Sequence, residues 1–243
     1  AKLMESLRSS GYTYWSAIDE LIDNSIDAGA SWVKMDFFDE DGATEKVTRN
    51  VYRLVVADNG RGMSHKALKN CHTLGSERAY SFKDIGKFGL GASVGSISIA
   101  RRWMTITREK GGEIFGRLTD LDEIIKQGNI VSIDFSENEI DAEYLELFHS
   151  YLGADNSQSG TLMILENLDK ASSIRADNMI RKLRTHGGSN FYSSLMKRDL
   201  LLTIDGVDVE HIHPILWDVE GTKQVLDTHF EVQTSTGKDV ALQ

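Results

Sequence analysis

The sequence predicts an α/β two-layer sandwich in which helices lie against a mixed sheet. Three observations carry that reading. The apolar residues Trp15, Ile18, Leu21, Ile22 and Ile26 recur at three- and four-residue steps, the mark of an amphipathic helix over about 13–28. Val33, Met35 and Phe37 then alternate with Lys34 and Asp36 across 32–38, the pattern of a half-buried strand. Further on, helical and strand patterns interleave without strict alternation, which gives a mixed sheet.

The remaining elements follow in order. Gly29 stands just past the first helix as its C-terminal cap. Residues 39–50 read as a solvated acidic loop, and 53–57 as a buried strand running into Asp58-Asn-Gly-Arg-Gly-Met63. Ser64 caps a short helix to about Cys71. The stretch 73–88 mixes glycine, serine and charge without a period, a long loop of the kind that is usually functional or disordered. A helical pattern covers 89–100, and strands are expected at 103–107, 113–118 and 130–135. Tyr144, Leu145, Phe148 and Leu152 mark a helix over 141–152, and 161–165 is another strand. Residues 174–196 read as helix broken at Gly187-Gly188, and 200–209 as a hairpin turning at Asp205-Gly206.

Composition bounds the class. A chain of 243 residues with 40% hydrophobic and 26% charged residues makes one large domain or two small ones. Its single cysteine, Cys71, rules out an internal disulfide and fits a reducing cytoplasmic setting. The sequence has neither a membrane-length apolar run nor a signal pattern. A net charge of -10 argues against a surface coated by nucleic acid, while leaving local basic patches open. The absence of a starting methionine and the strand-like end over 231–243 suggest a fragment of a longer protein.

Several short motifs bear on chemistry. Glu20 and Asn24 share a helix face, placing a base one turn from an uncharged oxygen donor. That pairing suits a hydrated metal ion and a water to be activated; a solvated acidic face is the bland alternative. Asp58-x-Gly60-x-Gly62 follows a buried strand, where a carboxylate accepts from an exocyclic amine and glycines admit a flat ring; an ordinary Asn-Gly turn reads the same way. Gly86-Lys-Phe-Gly89-Leu-Gly91 precedes a helix start, whose backbone N–H groups suit phosphate. It is neither a Walker loop nor the dinucleotide fingerprint, which would need glycine at Val94. Gly91-Ala-Ser93-Val-Gly95 matches a nucleophile elbow only in letters, because no strand feeds it. Gly237-Lys238 is followed by Asp239, so it is no Walker ending. His211-x-His213 has no cysteine near it in sequence, which argues against zinc, and nothing beside Cys71 marks it as a nucleophile.

Taken in order, Glu20 with Asn24, Asp58-x-Gly-x-Gly-Met63, a long loop, Gly86-x-x-Gly-x-Gly91 and Gly160-Thr161 resemble the GHKL ATPases. That is the Bergerat-fold superfamily of gyrase B, heat-shock-type chaperones, histidine kinases and MutL, and the resemblance covers about 4–161. Leu-Arg-Ser-Ser-Gly-Tyr12, Glu20-Leu-Ile-Asp-Asn-Ser-Ile-Asp-Ala28 and Ile85-Gly-Lys-Phe-Gly-Leu-Gly91 look most like the MORC and related bacterial heat-shock-type ATPases; Leu202-Thr-Ile-Asp-Gly-Val-Asp208 does so more faintly.

The resemblance implies a Bergerat fold with helices on one face of the sheet, and an ATP site with Mg2+. Glu20 would be the general base and Asn24 the metal-holding residue, with Asp27 and Ala28 also against the nucleotide. Asp58 would read the adenine amine, Thr161 assisting through water, while Gly60, Gly62 and Met63 shape the base pocket. Residues 73–88 would form a lid, and Gly86, Lys87, Phe88, Gly89, Leu90, Gly91 and Ala92 would wrap the phosphates. The catalytic lysine of MutL, gyrase and MORC relatives comes from a following domain, so the resemblance leaves room for it beyond Gln243. The implied organisation is an ATPase domain over 1–215 and the start of a transducer-like domain over 216–243.

The implied function is an ATP-hydrolysing switch that homodimerises with ATP, cytoplasmic and without a membrane segment, as the N-terminal part of a larger DNA-associated or defence/repair-type protein in which DNA contact is possible. A chaperone domain acting on polypeptides is the alternative. A histidine kinase is disfavoured, since transfer to histidine needs no hydrolytic base. Arg101, Arg102, Arg175, Arg181, Lys182, Arg184, Lys197 and Arg198 make a DNA-facing patch conceivable, solvated helix faces being the commoner reading.

Overall fold

A computed structural model describes residues 8, 13–38, 51–72, 96, 98–127, 132–168, 176–213, 230–233 and 239–242. Its main sheet has eight strands: β1 (Trp32–Phe38), β2 (Arg53–Asp58), β3 (Arg102–Arg108), β4 (Ile114–Asp120), β5 (Ser132–Ser136), β6 (Gly160–Glu166), β7 (Leu201–Ile204) and β8 (Val207–Asp208). Their spatial order is β5-β4-β3-β6-β2-β1-β7-β8, with β1 and β7 parallel and every other neighbouring pair antiparallel. The sheet is therefore mixed, as the patterning predicts. A separate hairpin pairs β9 (Phe230–Gln233) with β10 (Asp239–Leu242).

Among the described residues, the α-helices with defined bounds are α1 (Tyr14–Asp27), α2 (His65–Cys71), α3 (Leu121–Gln127), α4 (Ala142–Leu152), α5 (Ala176–Asn190) and α6 (Tyr192–Met196). Ile18, Leu21 and Ile22 of α1, Ile124 of α3 and Met179 and Leu183 of α5 form one core with Val33, Met35, Leu54, Val56, Leu165 and Leu202 of the sheet. This is the expected helical cover of one face, but the cover is not confined to it. On the opposite face, Phe148 and Leu152 of α4 pack on Val55, Ala57, Met104, Ile106, Leu162 and Ile164. Strand alternation splits Leu54 and Val56 from Val55 and Ala57, so β2 is buried on both sides.

Local chemistry sets the boundaries. Thr13 caps α1 in a reciprocal box: the Ser16 N–H donates to Thr13 Oγ1 at 3.1 Å and the Thr13 N–H to Ser16 Oγ at 2.9 Å. Gly29, at φ +74°, ends the helix as expected. Asp205 (φ 52°) and Gly206 (φ 70°) form the predicted hairpin turn.

The break expected at Gly187-Gly188 is absent; α5 runs through both and stops at Phe191. The glycines serve packing instead. A Cβ on Gly188 would stand 2.4 Å from the Glu210 carbonyl oxygen, and one on Gly187 would stand 3.1 Å from Leu202 Cδ2. Helix α3 was not expected from the pattern; the Asp120 side chain starts it by accepting from the Asp122 and Glu123 N–H groups. The acidic loop over 39–50 and most of the helix expected over 89–100 lie outside the described residues, with Ser96, Ser98 and Ile99 helical.

Candidate functional site

The site forms where the C-terminal half of α1 meets the ends of β2, β3 and β6. Ser25 is the buried residue that joins them. Its hydroxyl reaches Asp58 Oδ2 at 3.3 Å and the Leu21 carbonyl at 3.1 Å. Asp58 Oδ1 accepts from the Gly60 N–H at 2.8 Å. The turn after Asp58 is stapled to the end of α1: the Arg61 N–H donates to the Ala28 carbonyl at 2.9 Å, and Arg61 Nη1 to the Asp27 carbonyl at 2.6 Å. Asn59 Oδ1 accepts from the N–H groups of Ser31 and Trp32, both at 2.9 Å. Two motifs more than thirty residues apart in the chain thus become one surface.

Across the sheet, the register sets Asp58 beside Thr161 and Thr161 beside Thr107. All three side chains point toward the α1 face by strand alternation. The two threonine hydroxyls lie 3.1 Å apart, and Thr107 Oγ1 accepts from the Met63 N–H at 2.9 Å. Both glycines of the motif have close neighbours within the protein itself. A Cβ on Gly60 would lie 2.7 Å from Ala28 Cβ; at Gly62, with φ +70°, it would lie 2.0 Å from the Arg108 carbonyl oxygen.

Asp58 is buried, and burial is the main reason its pKa is raised to about 6. Hydrogen bonds from Gly60, Ser25 and the Thr161 backbone oppose that shift, and Arg61 adds a weaker pull in the same direction. Asp23 is also pushed up to about 6, by burial first and then by the charges of Glu20, Asp19 and Asp27. Glu20, Asn24, Asp27 and Ala28 are half-buried. Asn24 Nδ2 donates to the Glu20 carbonyl at 2.5 Å, which leaves the amide oxygen as the acceptor end of that side chain.

The structure therefore brings Asp27, Ala28, Asp58, Gly60, Gly62, Met63 and Thr161 together, with Glu20 and Asn24 on the same helix about two turns and one turn before Ala28. Gly86, Lys87, Phe88, Gly89, Leu90, Gly91 and Ala92, and the whole 73–88 loop, lie outside the described residues. Sequence reasoning missed Ser25 and Thr107. The readable signal for Thr107 was a polar residue on the core-facing side of a buried strand, in step with Trp103 and Thr105.

A cavity of about 590 Å³ lined by Leu195, Arg198, Leu200, Val209 and His211 contains none of these residues. Among the basic residues of the conceivable DNA-facing patch, Arg101 pairs with Asp122, Arg102 with Glu166, and Arg184 donates to the Ile204 carbonyl at 2.7 Å. Among the described residues no helix is long and apolar enough to cross a membrane.

Comparison with known proteins places these features in context. The family model described as histidine kinase-, DNA gyrase B- and HSP90-like ATPase matches residues 12–161. ATPase morc-1 of Caenorhabditis elegans is 32% identical over 108 residues, 43% of this chain and 12% of that protein. Protein MICRORCHIDIA 1 of Arabidopsis thaliana is 30% identical over 148 residues, 55% of this chain and 22% of that protein. The chain thus spans only a minor part of the length of these curated relatives. Among solved structures, the ATPase and transducer domains of DNA topoisomerase II from Balamuthia mandrillaris align with a TM-score of 0.52 and 14% identity. That alignment covers 81% of this chain and 48% of the topoisomerase chain, and shows a shared fold.

Proposed function

Because the chain belongs to the family of histidine kinase-, DNA gyrase B- and HSP90-like ATPases and carries its ATP-binding domain, we propose that it is a Mg-ATP-driven dimerisation switch in a larger, DNA-associated protein. The observation that carries this reading is the Ser25–Asp58 contact, which joins the helix bearing Glu20 and Asn24 to a buried carboxylate poised as an acceptor. The adenine amine donates to Asp58, with Thr161 assisting through water and Gly60, Gly62 and Met63 flanking the ring. Asn24 fits Mg2+ in chemistry: one hard amide oxygen suits an ion that keeps waters and phosphate oxygens as its other ligands. When bound, the ion neutralises triphosphate charge. Glu20 orients the attacking water and accepts its proton, and the residues from Gly86 to Ala92 enclose the phosphates. Placement and charge neutralisation are the main requirements of phosphoryl transfer to water.

The microrchidia relatives support an ATPase of this group and do not favour the polypeptide-chaperone alternative. The separate pairing of β9 with β10 supports reading 216–243 as the start of a following unit, from which the catalytic lysine would come. DNA contact is assigned to the full-length protein, since Arg101, Arg102 and Arg184 of that patch are engaged within the fold and are not the residues to provide it.

Glu20→Ala in the full-length protein tests the reading. The variant is expected to bind ATP, to sediment as a dimer with it, and to lose turnover by ~100-fold or more, the size of a general base's contribution. Wild-type turnover by the variant, or a monomer at saturating ATP, would refute it.

A further inference from the structure

Helix α1 is gripped from α5 by a cluster that the nucleotide site does not use. His186 Nε2 donates to the Asp19 carboxylate, at 2.8 Å from Oδ2 and 3.0 Å from Oδ1. Asn190 Nδ2 reaches Asp19 Oδ2 at 2.9 Å. The His186 ring also lies against Trp15, with ring centres 5.8 Å apart. Trp15 and Asp19 are one turn apart on α1, and His186 and Asn190 are one turn apart on α5, so two adjacent side chains of each helix interlock. Asp19 is the residue immediately before Glu20.

At about 100° per residue, Asp19 and Ser25 lie roughly a third of a turn apart around α1, and Glu20 and Asn24 occupy the remaining third. Ser25 ties α1 to Asp58, while Asp19 ties it to α5. The apolar stripe of Ile18, Leu21 and Ile22, together with the Arg61 bonds to Asp27 and Ala28, seats the buried side and the C-terminal end of α1. The Asp19 tie adds a hold on a flank that this packing leaves partly exposed, and so trims the direction in which Glu20 and Asn24 leave the helix.

We propose that Asp19, His186 and Asn190 are positioning residues for hydrolysis, holding that flank of α1 so that Glu20 meets the attacking water. The proposal rests on Glu20 being the base. It predicts that loosening the clamp impairs the chemical step while the adenine end, held by Ser25 and the turn after Asp58, continues to bind.

The test is steady-state ATPase kinetics and calorimetric titration with a non-hydrolysable ATP analogue on the full-length protein. His186→Ala should lower kcat by ~10-fold, within the range expected for small misplacement of a catalytic group, with KM and analogue affinity within about 2-fold of wild type. His186→Gln, which keeps a donor near the Nε2 position, should restore kcat to within about 2-fold of wild type. Asn190→Ala removes one exposed donor and should lower kcat by ~3-fold at unchanged KM; it decides the matter if His186→Ala does not fold. Wild-type kcat in both alanine variants, parallel loss of binding and turnover in folded protein, or no recovery in His186→Gln would overturn the clamp. Normal turnover in Glu20→Ala would instead overturn the reading on which it rests.

Discussion

Two buried carboxylates on neighbouring strands have opposite surroundings. Asp58, at the end of β2, is held by the neutral donors Gly60 N–H and Ser25 hydroxyl, and burial raises its pKa to about 6. Glu166, at the end of β6, lies between the guanidinium groups of Arg53 and Arg102, and accepts from the Tyr144 hydroxyl at 3.0 Å. Both guanidinium groups also stack over the Tyr144 ring, each 5.7 Å from its centre. A carboxylate already matched by cations is a structural tie and has little left to offer a ligand. One buried among neutral donors gains by meeting a further donor. Of the two, Asp58 is the one whose neutral partners leave it able to take a further donor.

The largest expected effect is at the matched end. Glu166→Gln leaves Arg53 and Arg102 without their shared acceptor charge. Urea unfolding should show a loss of ~2–4 kcal/mol, below the full cost of breaking a buried pair because both arginines are partly exposed. Nucleotide affinity in the folded protein should stay unchanged; if it falls with stability, the two ends are not independent.

At the unmatched end, Asp58→Asn should weaken ATP binding by ~10- to 100-fold, the value of a hydrogen bond to a charged group, as measured by calorimetry. Stability should move the other way. Because the folded pKa is raised, the contribution of Asp58 to stability is complete below the ordinary carboxylate value and is lost as pH rises through about 6. Asp58→Asn should therefore be more stable than wild type at neutral pH, by ~1–3 kcal/mol, with the difference closing below about pH 4. Asp23 titrates in the same window and should leave a residual slope in the variant. A variant no more stable than wild type at pH 7 would place Asp58 in a matched environment after all.

The smallest effect is expected from Thr107→Val, which removes the hydroxyl that meets the Met63 N–H and Thr161. Unfolding free energy should fall by ~1–2 kcal/mol and ATP affinity by a few-fold, since a buried donor loses its acceptor. An unchanged affinity would separate the β3 threonine from the base pocket.

Much of this could be read from the chain because the signals were local. The alternation through Val33, Met35 and Phe37 gave β1, Gly29 gave the end of α1, and Asp205-Gly206 gave the last hairpin. Glu20, Asn24 and Asp58 stand out only through the order of several weak motifs along the chain, a resemblance rather than a local signal. Partnerships across the fold were not legible. Nothing near Ser25 announces Asp58, and Gly187-Gly188 looks like a helix break until Glu210 and Leu202 are seen against it. Helix α4 is patterned like any amphipathic helix, so its apolar stripe does not say which face of the sheet it covers.

The parallel neighbour of β1 carries a consequence for how the molecule is made. Trp32 pairs with Leu201, so about 170 residues must be synthesised before the outer edge of β1 is closed, a long-range pairing of the kind that slows folding. During translation that flank of the sheet presents unsatisfied amides and carbonyls to whatever is nearby. Arrival of β7 covers Trp32–Met35, the first four of the seven residues of β1, and the two-residue β8 then leaves a rim too short to recruit a foreign strand.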